Sequence, residues 1–184
     1  MNFFKCDIEG LLLFVPDVYT DLRGQFFESY NRRKYNLLVP ELPKFVQTNI
    51  SKSRYGVIRG LHFQKEPYAQ DKLVSVLKGK VLDVAVDLRL DSPTFGKYYS
   101  VELTDKNNYQ LFIPKGFAHG FSALSQEVIF EYKCSDFFTP DSEVGILWND
   151  PDIAIDWKLE HKDVIVSQKD SNNITFAEFK KLVV

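Results

Sequence analysis

The sequence has few of the residues that mark disulfide-rich or membrane-spanning proteins. Its 184 residues include two cysteines, Cys6 and Cys134, too few for a disulfide framework, and we expect both to be reduced, buried thiols. No apolar run approaches the length of a membrane span, and the first ten residues, MNFFKCDIEG, lack the apolar core of a signal peptide. The sequence therefore predicts a soluble, cytoplasmic protein that does not bind membranes.

The net charge is also small, and histidines are few. The formal net charge is -2 at pH 7, which gives no general attraction to nucleic acid, so an anionic ligand would need a local basic cluster. Only three histidines occur. His161 lies among charges in KLEHKD and is expected on the solvent face, whereas His62 and His119 lie in apolar, strand-like surroundings. A histidine acts in chemistry only with a partner that sets its proton, so these two become candidates.

Aromatic residues are abundant, at 15% of the chain, and they favour β-structure. Strand patterns separated by short turn signals occur at 10–15, 45–50, 57–64, 73–77, 81–88, 98–103, 109–113, 120–124 and 128–134. This rhythm predicts an all-β fold in one domain over residues 1–184, an antiparallel jelly-roll barrel or sandwich that hides its sheet edges.

Helix signals are few and short. Residues 31–38 form one candidate, ended by Pro40, and residues 175–182 form another, in which Thr175 and Glu178 have capping-box spacing. The stretch 135–172 is rich in loop residues and includes WNDP at 148–151 as a predicted turn. Loops over a rigid barrel are where binding groups usually lie.

The stretch VIRGLHFQKEPYAQDK carries Arg59, His62 and Lys72 within fourteen residues. Strict strand alternation would place Arg59 and His62 on opposite faces. A bulge at Gly60 would turn both side chains toward the interior, and this is a structural hypothesis that a regular ladder through Gly60 would exclude. In the next strands, Tyr132 should point inward, and Asp83 is expected to be a buried acid paired with His62 or Lys72.

A metal-binding cupin is the first alternative. Such a site needs several converging histidine and carboxylate ligands. Here His62 has no second histidine two residues away, and no third strong ligand is evident. The sequence therefore predicts no metal.

Five segments together resemble one family. They are DLRGQFFESYN at 21–31, FVQTNISKSRYGVIRGLHFQ at 45–64, QDKLVSVLKGKVLDVAVDLR at 70–89, FIPKGFAHGF at 112–121 and VSQKD at 166–170. In this order, over most of the chain, they are similar to the dTDP-4-dehydrorhamnose 3,5-epimerases, cupin-type enzymes of nucleotide-sugar metabolism.

The resemblance implies a role for four residues. His62 would be the general base, oriented and made more basic by Asp170. Tyr132 would be the acid on the opposite face of the sugar ring, and Lys72 would stabilise the enolate oxygen at C4. The residue types suit the chemistry, because a ketone at C4 acidifies C3–H and C5–H, and a histidine with a pKa of about 6.5 is poised to remove them. Neither a metal nor another cofactor is needed.

The resemblance also implies how the substrate is held. Arg59 and His119 would contact the substrate or its diphosphate, and further pocket positions would bind the nucleotide and sugar. These further positions are Gln47, Asn49, Phe138 and Glu143. In a homodimer with shared sites, Arg23, Phe26 and Glu28 would reach the nucleotide of the neighbouring subunit. The family often has two tyrosines where this chain has Phe137 and Phe138, which keep a stacking surface without the hydroxyl groups.

The expected reaction is epimerisation of dTDP-4-dehydro-6-deoxyglucose at C3 and C5. Three enzymatic alternatives are the same chemistry on a GDP-linked sugar such as a heptose, epimerisation at C3 or C5 only, and movement of the carbonyl between C3 and C4. An alternative from another class is a non-catalytic module that binds sugar nucleotides. Retention of the base, acid and cation together argues against that module.

Overall fold

The computed structural model describes residues 1–183, and most of its regular structure is antiparallel β-sheet. The strands are β1 (Asn2–Lys5), β2 (Leu12–Val15), β3 (Tyr19–Asp21), β4 (Gly24–Phe26), β5 (Gln47–Arg54), β6 (Ile58–Gln64), β7 (Lys72–Lys78), β8 (Lys80–Asp87), β9 (Tyr98–Thr104), β10 (Gln110–Ile113), β11 (Phe117–Ala123), β12 (Glu127–Cys134) and β13 (Glu143–Gly145). The helices are α1 (Arg32–Leu38), α2 (Gln168–Ser171) and α3 (Phe176–Val183), with short 3₁₀ turns at Pro140–Ser142 and His161–Asp163.

Two sheets form a sandwich. The larger has the order β1-β2-β10-β7-β12-β5, and the smaller has the order β13-β6-β11-β8-β9. A separate hairpin of β3 and β4, which we call the arm (19–26), pairs with neither sheet. Neighbouring strands in both sheets are antiparallel, as predicted from the sequence.

Apolar side chains fill the space between the sheets and also cover both outer faces. The central cluster includes Val81 and Ala85, while Leu82 and Val84 on the same strand belong to a second cluster that covers the smaller sheet. Strand β8 is therefore apolar on both faces, which explains why VLDVAVDL reads as a nearly continuous apolar run. A third cluster forms where Tyr35 of α1 packs against the larger sheet.

Most of the elements expected from the sequence are confirmed. Each predicted strand is present, with ends that differ by a few residues, and α1 occupies the predicted helix with Asn31 as its N-cap. At α3 the Glu178 carboxylate accepts hydrogen bonds from the Thr175 backbone and hydroxyl, and Thr175 Oγ1 accepts one from the Glu178 N–H, so the capping box is also confirmed. The arm, β1, β13 and the one-turn helix α2 were not predicted.

The loop-rich region is held by buried polar contacts and β-bridges. Asp150 of the WNDP turn is buried and accepts backbone hydrogen bonds from three residues, one of which, Phe176, opens α3. The segment 165–174, which we call the strap, is anchored at its ends by parallel bridges from Ile165 to Val57 and from Ile174 to Ile146. Between these anchors lies α2, so the strap is brought against β6 at the open end of the sandwich.

No helix within residues 1–183 is long and apolar enough to cross a membrane. Cys6 and Cys134 are unpaired, with Cys134 buried and Cys6 half-buried, in agreement with their expected reduced state.

Candidate active site

A cavity of about 660 Å³ lies between the two sheets, and most of the candidate residues line it. Its walls come from β5, β7 and β12 of the larger sheet, from β6 and β11 of the smaller sheet, and from the strap. Of the predicted site residues, ten line this cavity: Gln47, Asn49, Arg59, His62, Lys72, His119, Tyr132, Phe138, Glu143 and Asp170.

The predicted bulge at Gly60 is confirmed. In the pairing of β6 with β11, His62 lies opposite His119 and Arg59 lies opposite Phe121. The pairing therefore advances three residues along β6 but only two along β11, which leaves one extra residue in β6. The bulge needs glycine, because φ is +131° at Gly60 and a Cβ there would lie 2.5 Å from Gly120 Cα. As a result, Arg59 and His62 both face the cavity.

His62, which is half-buried, and Asp170, which is buried, form a pair on the wall made by β6 and the strap. His62 Nε2 lies 2.6 Å from Asp170 Oδ1, and the Gly60 N–H, exposed by the bulge, donates to Asp170 Oδ2 at 3.3 Å. Burial raises the pKa of Asp170, but the hydrogen bonds from His62 and Gly60 outweigh it, and the pKa lies below its usual range. Because Asp170 is a carboxylate that only accepts, Nε2 carries the proton and Nδ1 is left as the basic nitrogen of a neutral ring.

Tyr132 and Lys72 lie on the larger sheet, on the other side of the cavity from the β6 wall. Tyr132 shares the inward face of β12 with Phe130 and Cys134, as its register predicted. Burial raises the pKa of Tyr132, partly offset by the positive charge of Arg59. Burial lowers the pKa of Lys72, opposed by nearby acidic groups, and its ammonium donates a 3.4 Å hydrogen bond to the His62 carbonyl.

Asp83 is buried and faces inward as expected, but its expected partner was wrong. Its carboxylate Oδ2 lies 2.9 Å from His119 Nε2 and makes no hydrogen bond to His62 or Lys72 within residues 1–183. The reason is strand order, since β8 is the direct neighbour of β11, which carries His119, whereas β6 lies one strand further away.

Polar residues surround the rest of the cavity. The Arg59 guanidinium donates to Ser53 Oγ at 3.1 Å and to the Lys52 carbonyl at 3.2 Å. Gln47 donates to Asn49 and accepts from the Phe138 backbone N–H, both at 3.0 Å, which ties the loop carrying Phe138 to β5. Glu143 pairs with Lys169 of the strap.

Three predicted residues lie outside this cavity. Arg23 and Phe26 are on the arm. The Arg23 side chain is 91% exposed, and its Nη2 lies 2.6 Å from Asp21 Oδ2. Glu28 follows the arm and pairs with Lys34 of α1. His161, predicted to be exposed, is exposed.

Several cavity residues were missed from the sequence. Ser51 and Ser53 follow Gln47 and Asn49 at intervals of two on β5, and Ser51 lines the cavity. Extending the alternation of that strand would have found them. Lys169 lies beside Asp170 in the strap and has no signal of its own in the sequence. Within residues 1–183, no cluster of three or more histidine, cysteine or acidic side chains is placed to hold a metal ion.

Comparisons with known proteins agree on one family. A family model described as dTDP-4-dehydrorhamnose 3,5-epimerase matches residues 5–178. The enzyme of that name from Shigella flexneri is 48% identical over 178 residues, covering 97% of each chain. The one from Methanothermobacter thermautotrophicus is 50% identical over 172 residues, 93% of this chain and 92% of the relative.

The solved structures agree. The dTDP-6-deoxy-D-glucose-3,5-epimerase of Legionella pneumophila, determined with dTDP-4-keto-L-rhamnose, has a TM-score of 0.94 and 45% identity, covering 100% of this chain and 96% of that one. Fold and site together define a cupin-type epimerase, an isomerase, and the expected fold class is confirmed. The chain belongs to the dTDP-4-dehydrorhamnose 3,5-epimerase family.

Proposed function

We propose that the protein epimerises dTDP-4-dehydro-6-deoxyglucose at C3 and C5, giving dTDP-4-dehydro-L-rhamnose. The observation that carries the proposal is the placement of the His62–Asp170 pair across the cavity from Tyr132, with Lys72 on the strand next to that of Tyr132 and hydrogen-bonded to the His62 carbonyl. Inversion at carbon needs a base on one face of the ring and an acid on the other. Binding alone requires neither.

The residues divide the proton transfers between them. His62 Nδ1 removes the proton from C3 or C5, the C–H electron pair moves into the enolate, and negative charge appears on the C4 oxygen. The imidazolium that forms is stabilised by the Asp170 carboxylate. Tyr132 then gives its phenolic proton to the same carbon from the opposite face, the C4 carbonyl re-forms, and His62 and Tyr132 are restored by proton exchange with solvent.

Burial prepares the two groups on the opposite wall for these roles. Since burial raises the pKa of Tyr132, the phenol keeps its proton until the enolate accepts it. Burial lowers the pKa of Lys72 and so opposes its charged form, while the nearby groups Glu143 and Asp83 favour it. When protonated, the Lys72 ammonium acts on the enolate oxygen with little screening by water.

The remaining polar residues of the cavity suit a nucleoside diphosphate. Arg59 and His119 supply groups for the sugar diphosphate, and Gln47, Asn49 and Glu143 line the approach to it. Phe138 is 49% exposed at the edge of the cavity, where its ring can stack on a flat base.

We further propose that the working form is a cytoplasmic homodimer with shared sites. The arm supports the proposal, because Tyr19, Leu22 and Phe26 are 66%, 108% and 69% exposed. Such side chains are better explained as contacts to a second copy than as solvent-facing groups. Arg23, Phe26 and Glu28 would then serve the nucleotide in the partner's cavity.

The deciding experiment is incubation of dTDP- and GDP-linked 4-keto-6-deoxy sugars with the enzyme in deuterated water. We expect deuterium at both C3 and C5 of the dTDP sugar, detected by NMR, and much slower exchange with the GDP sugar. Exchange at one carbon would reduce the proposal to a single epimerisation. No exchange with any substrate would favour the binding module.

Replacing Tyr132 with Phe separates the two half-reactions. We expect completed inversion to fall by about 10²-fold or more, while initial C–H exchange falls by less than about tenfold, since His62 is untouched. Tyr109→Phe is the matched control, because Tyr109 packs against the central core outside the cavity. Equal loss of exchange and inversion in Tyr132→Phe would show a structural role for that tyrosine.

A further inference from the structure

A second histidine–carboxylate pair joins His119, which lines the cavity, to Asp83, which is buried behind it and has no role in the proposed reaction. Asp83 is on β8, in the middle of the smaller sheet, and is completely buried. On the inward face of the strand its neighbours are Val81 and Ala85, both in the central apolar cluster. Its carboxylate Oδ2 pairs with His119 Nε2 at 2.9 Å.

Fold stability explains this pair poorly. Transferring a carboxylate from water to a protein interior costs on the order of several kcal/mol. Replacing a buried ion pair with apolar residues of similar volume often leaves stability unchanged or increases it. Within residues 1–183, the second oxygen, Oδ1, has no hydrogen-bond partner although it is buried. A buried polar atom left unsatisfied destabilises the fold, so its retention points to a functional requirement.

The hydrogen bond fixes the chemistry of the His119 ring. A carboxylate only accepts hydrogen bonds, so Nε2 must carry a proton, and Nδ1 becomes the nitrogen that is free to accept or, when protonated, to donate. The ring also stacks against Phe130, with centroids 6.1 Å apart and an angle of 19° between the planes, which limits its rotation.

His119 lies where this control matters. It is the cross-strand partner of His62, and both rings line the cavity. Asp170 holds Nε2 of His62 in the same way, so the two histidines present the same nitrogen, Nδ1, from adjacent positions.

We propose that Asp83 is a positioning residue for His119: it holds the ring in the Nε2–H form and so directs Nδ1 at an oxygen of the sugar diphosphate. The role in catalysis rests on the proposed function, but the tautomer does not. Asp83 also lies near enough to Lys72 for its charge to favour the ammonium, so the test must separate the two partners.

The test is ¹⁵N NMR of the imidazole nitrogens in the full-length enzyme without substrate. The chain has three histidines, and His119→Gln and His161→Gln assign the signals. We expect a fixed Nε2–H tautomer for His119 in the wild type and its loss in Asp83→Asn. A wild-type His119 with its proton on Nδ1, or with both tautomers averaged, would overturn the proposal, even if Asp83→Asn failed to fold.

Kinetics supply the second readout. Asp83→Asn should raise KM by about tenfold, the effect of one charge-assisted hydrogen bond, with kcat within about threefold of the wild type. In a His119→Gln background the same substitution should have no further effect. If Asp83→Asn raised KM equally in the His119→Gln background, the role of Asp83 would be to support Lys72 or the fold and not to position His119. A wild-type enzyme with the expected His119 tautomer but no epimerase activity would refute the proposed function and leave the positioning role of Asp83 intact. As the control, His161→Gln should match the wild type in both the NMR and the kinetic measurements.

Discussion

Two histidines line the cavity on neighbouring strands, each paired with a carboxylate, and the two pairs differ in where the carboxylate comes from. Asp170 is on the strap, outside the sandwich, and 26% of its partner His62 is exposed. Asp83 is inside the sheet, and only 8% of its partner His119 is exposed. One pair is assembled by a segment that docks onto the barrel, and the other is part of the barrel.

The surroundings of the two acids differ accordingly. Asp170 accepts hydrogen bonds from both the His62 ring and the Gly60 N–H, which supports full ionisation. In the described chain, residues 1–183, only one oxygen of Asp83 is engaged. A base must exchange protons with substrate and solvent, so it needs access, and the His62 side chain is 26% exposed. A binding group needs only a fixed direction, which the interior of a sheet provides.

The largest expected difference is between His62→Ala and His119→Gln. Removing His62 takes away the proposed base, so we expect deuterium exchange at both carbons to fall by about 10³-fold or more. Removing the His119 ring should lower kcat/KM by roughly 10–10²-fold through substrate binding, with exchange of the bound sugar retained. Single-turnover exchange at saturating substrate checks the first value, and the dependence of the rate on substrate concentration checks the second. Wild-type exchange in His62→Ala would exclude His62 as the base and reverse the comparison.

A smaller effect is expected from Gly145→Ala, which acts on the first pair alone. A Cβ at Gly145 would lie 2.1 Å from the side-chain Oδ1 of Asn173, on the strap three residues beyond Asp170. We expect the strap to shift and kcat to fall by about tenfold, because an ångström-scale misplacement of a catalytic group costs one to two orders of magnitude.

Asn173 provides the control for that change. Asn173→Ala removes the atoms that the new methyl group would meet, so the double variant should recover most of the kcat lost in Gly145→Ala. The His119 tautomer should stay unchanged in all three variants. A double variant no better than Gly145→Ala would show that the strap does not control Asp170.

The comparison also shows what the sequence could and could not predict. Alternation within single strands was sufficient to predict that Tyr132 and Asp83 point inward. The glycine between Arg59 and His62 was sufficient to suggest a bulge, and only the strand pairing establishes it. The partner of Asp83 depends on which strands are neighbours in the sheet. This is a long-range property that local pattern does not contain, so the prediction of His62 or Lys72 was wrong.

Asp170 shows a different limit. It lies 108 residues from His62, on a four-residue helix in a loop-rich region, and nothing local distinguishes it from an ordinary capping acid. Only the resemblance of VSQKD to a family segment marked it. The arm also gave no strand signal, because all of its strand residues are exposed and none shows the alternation of buried and exposed positions.

The smallest expected effect is on acid stability, and it tests whether the two acids differ in charge as well as position. The folded-state pKa of Asp170 is lowered, so its ionisation stabilises the fold fully above the unfolded-state pKa of about 3.9. This stabilisation is lost progressively below that value, as the pH falls through the lower folded-state pKa. Asp170→Asn lacks this dependence. The wild type should therefore exceed the variant in melting temperature by a few degrees near pH 7, and the gap should narrow below about pH 4. Thermal unfolding followed by circular dichroism at pH 7, 4 and 3 measures the gap. A gap that stays constant or widens in acid would mean that the His62–Asp170 pair contributes through shape alone, and the contrast with the pair inside the sheet would then lie only in access to the substrate.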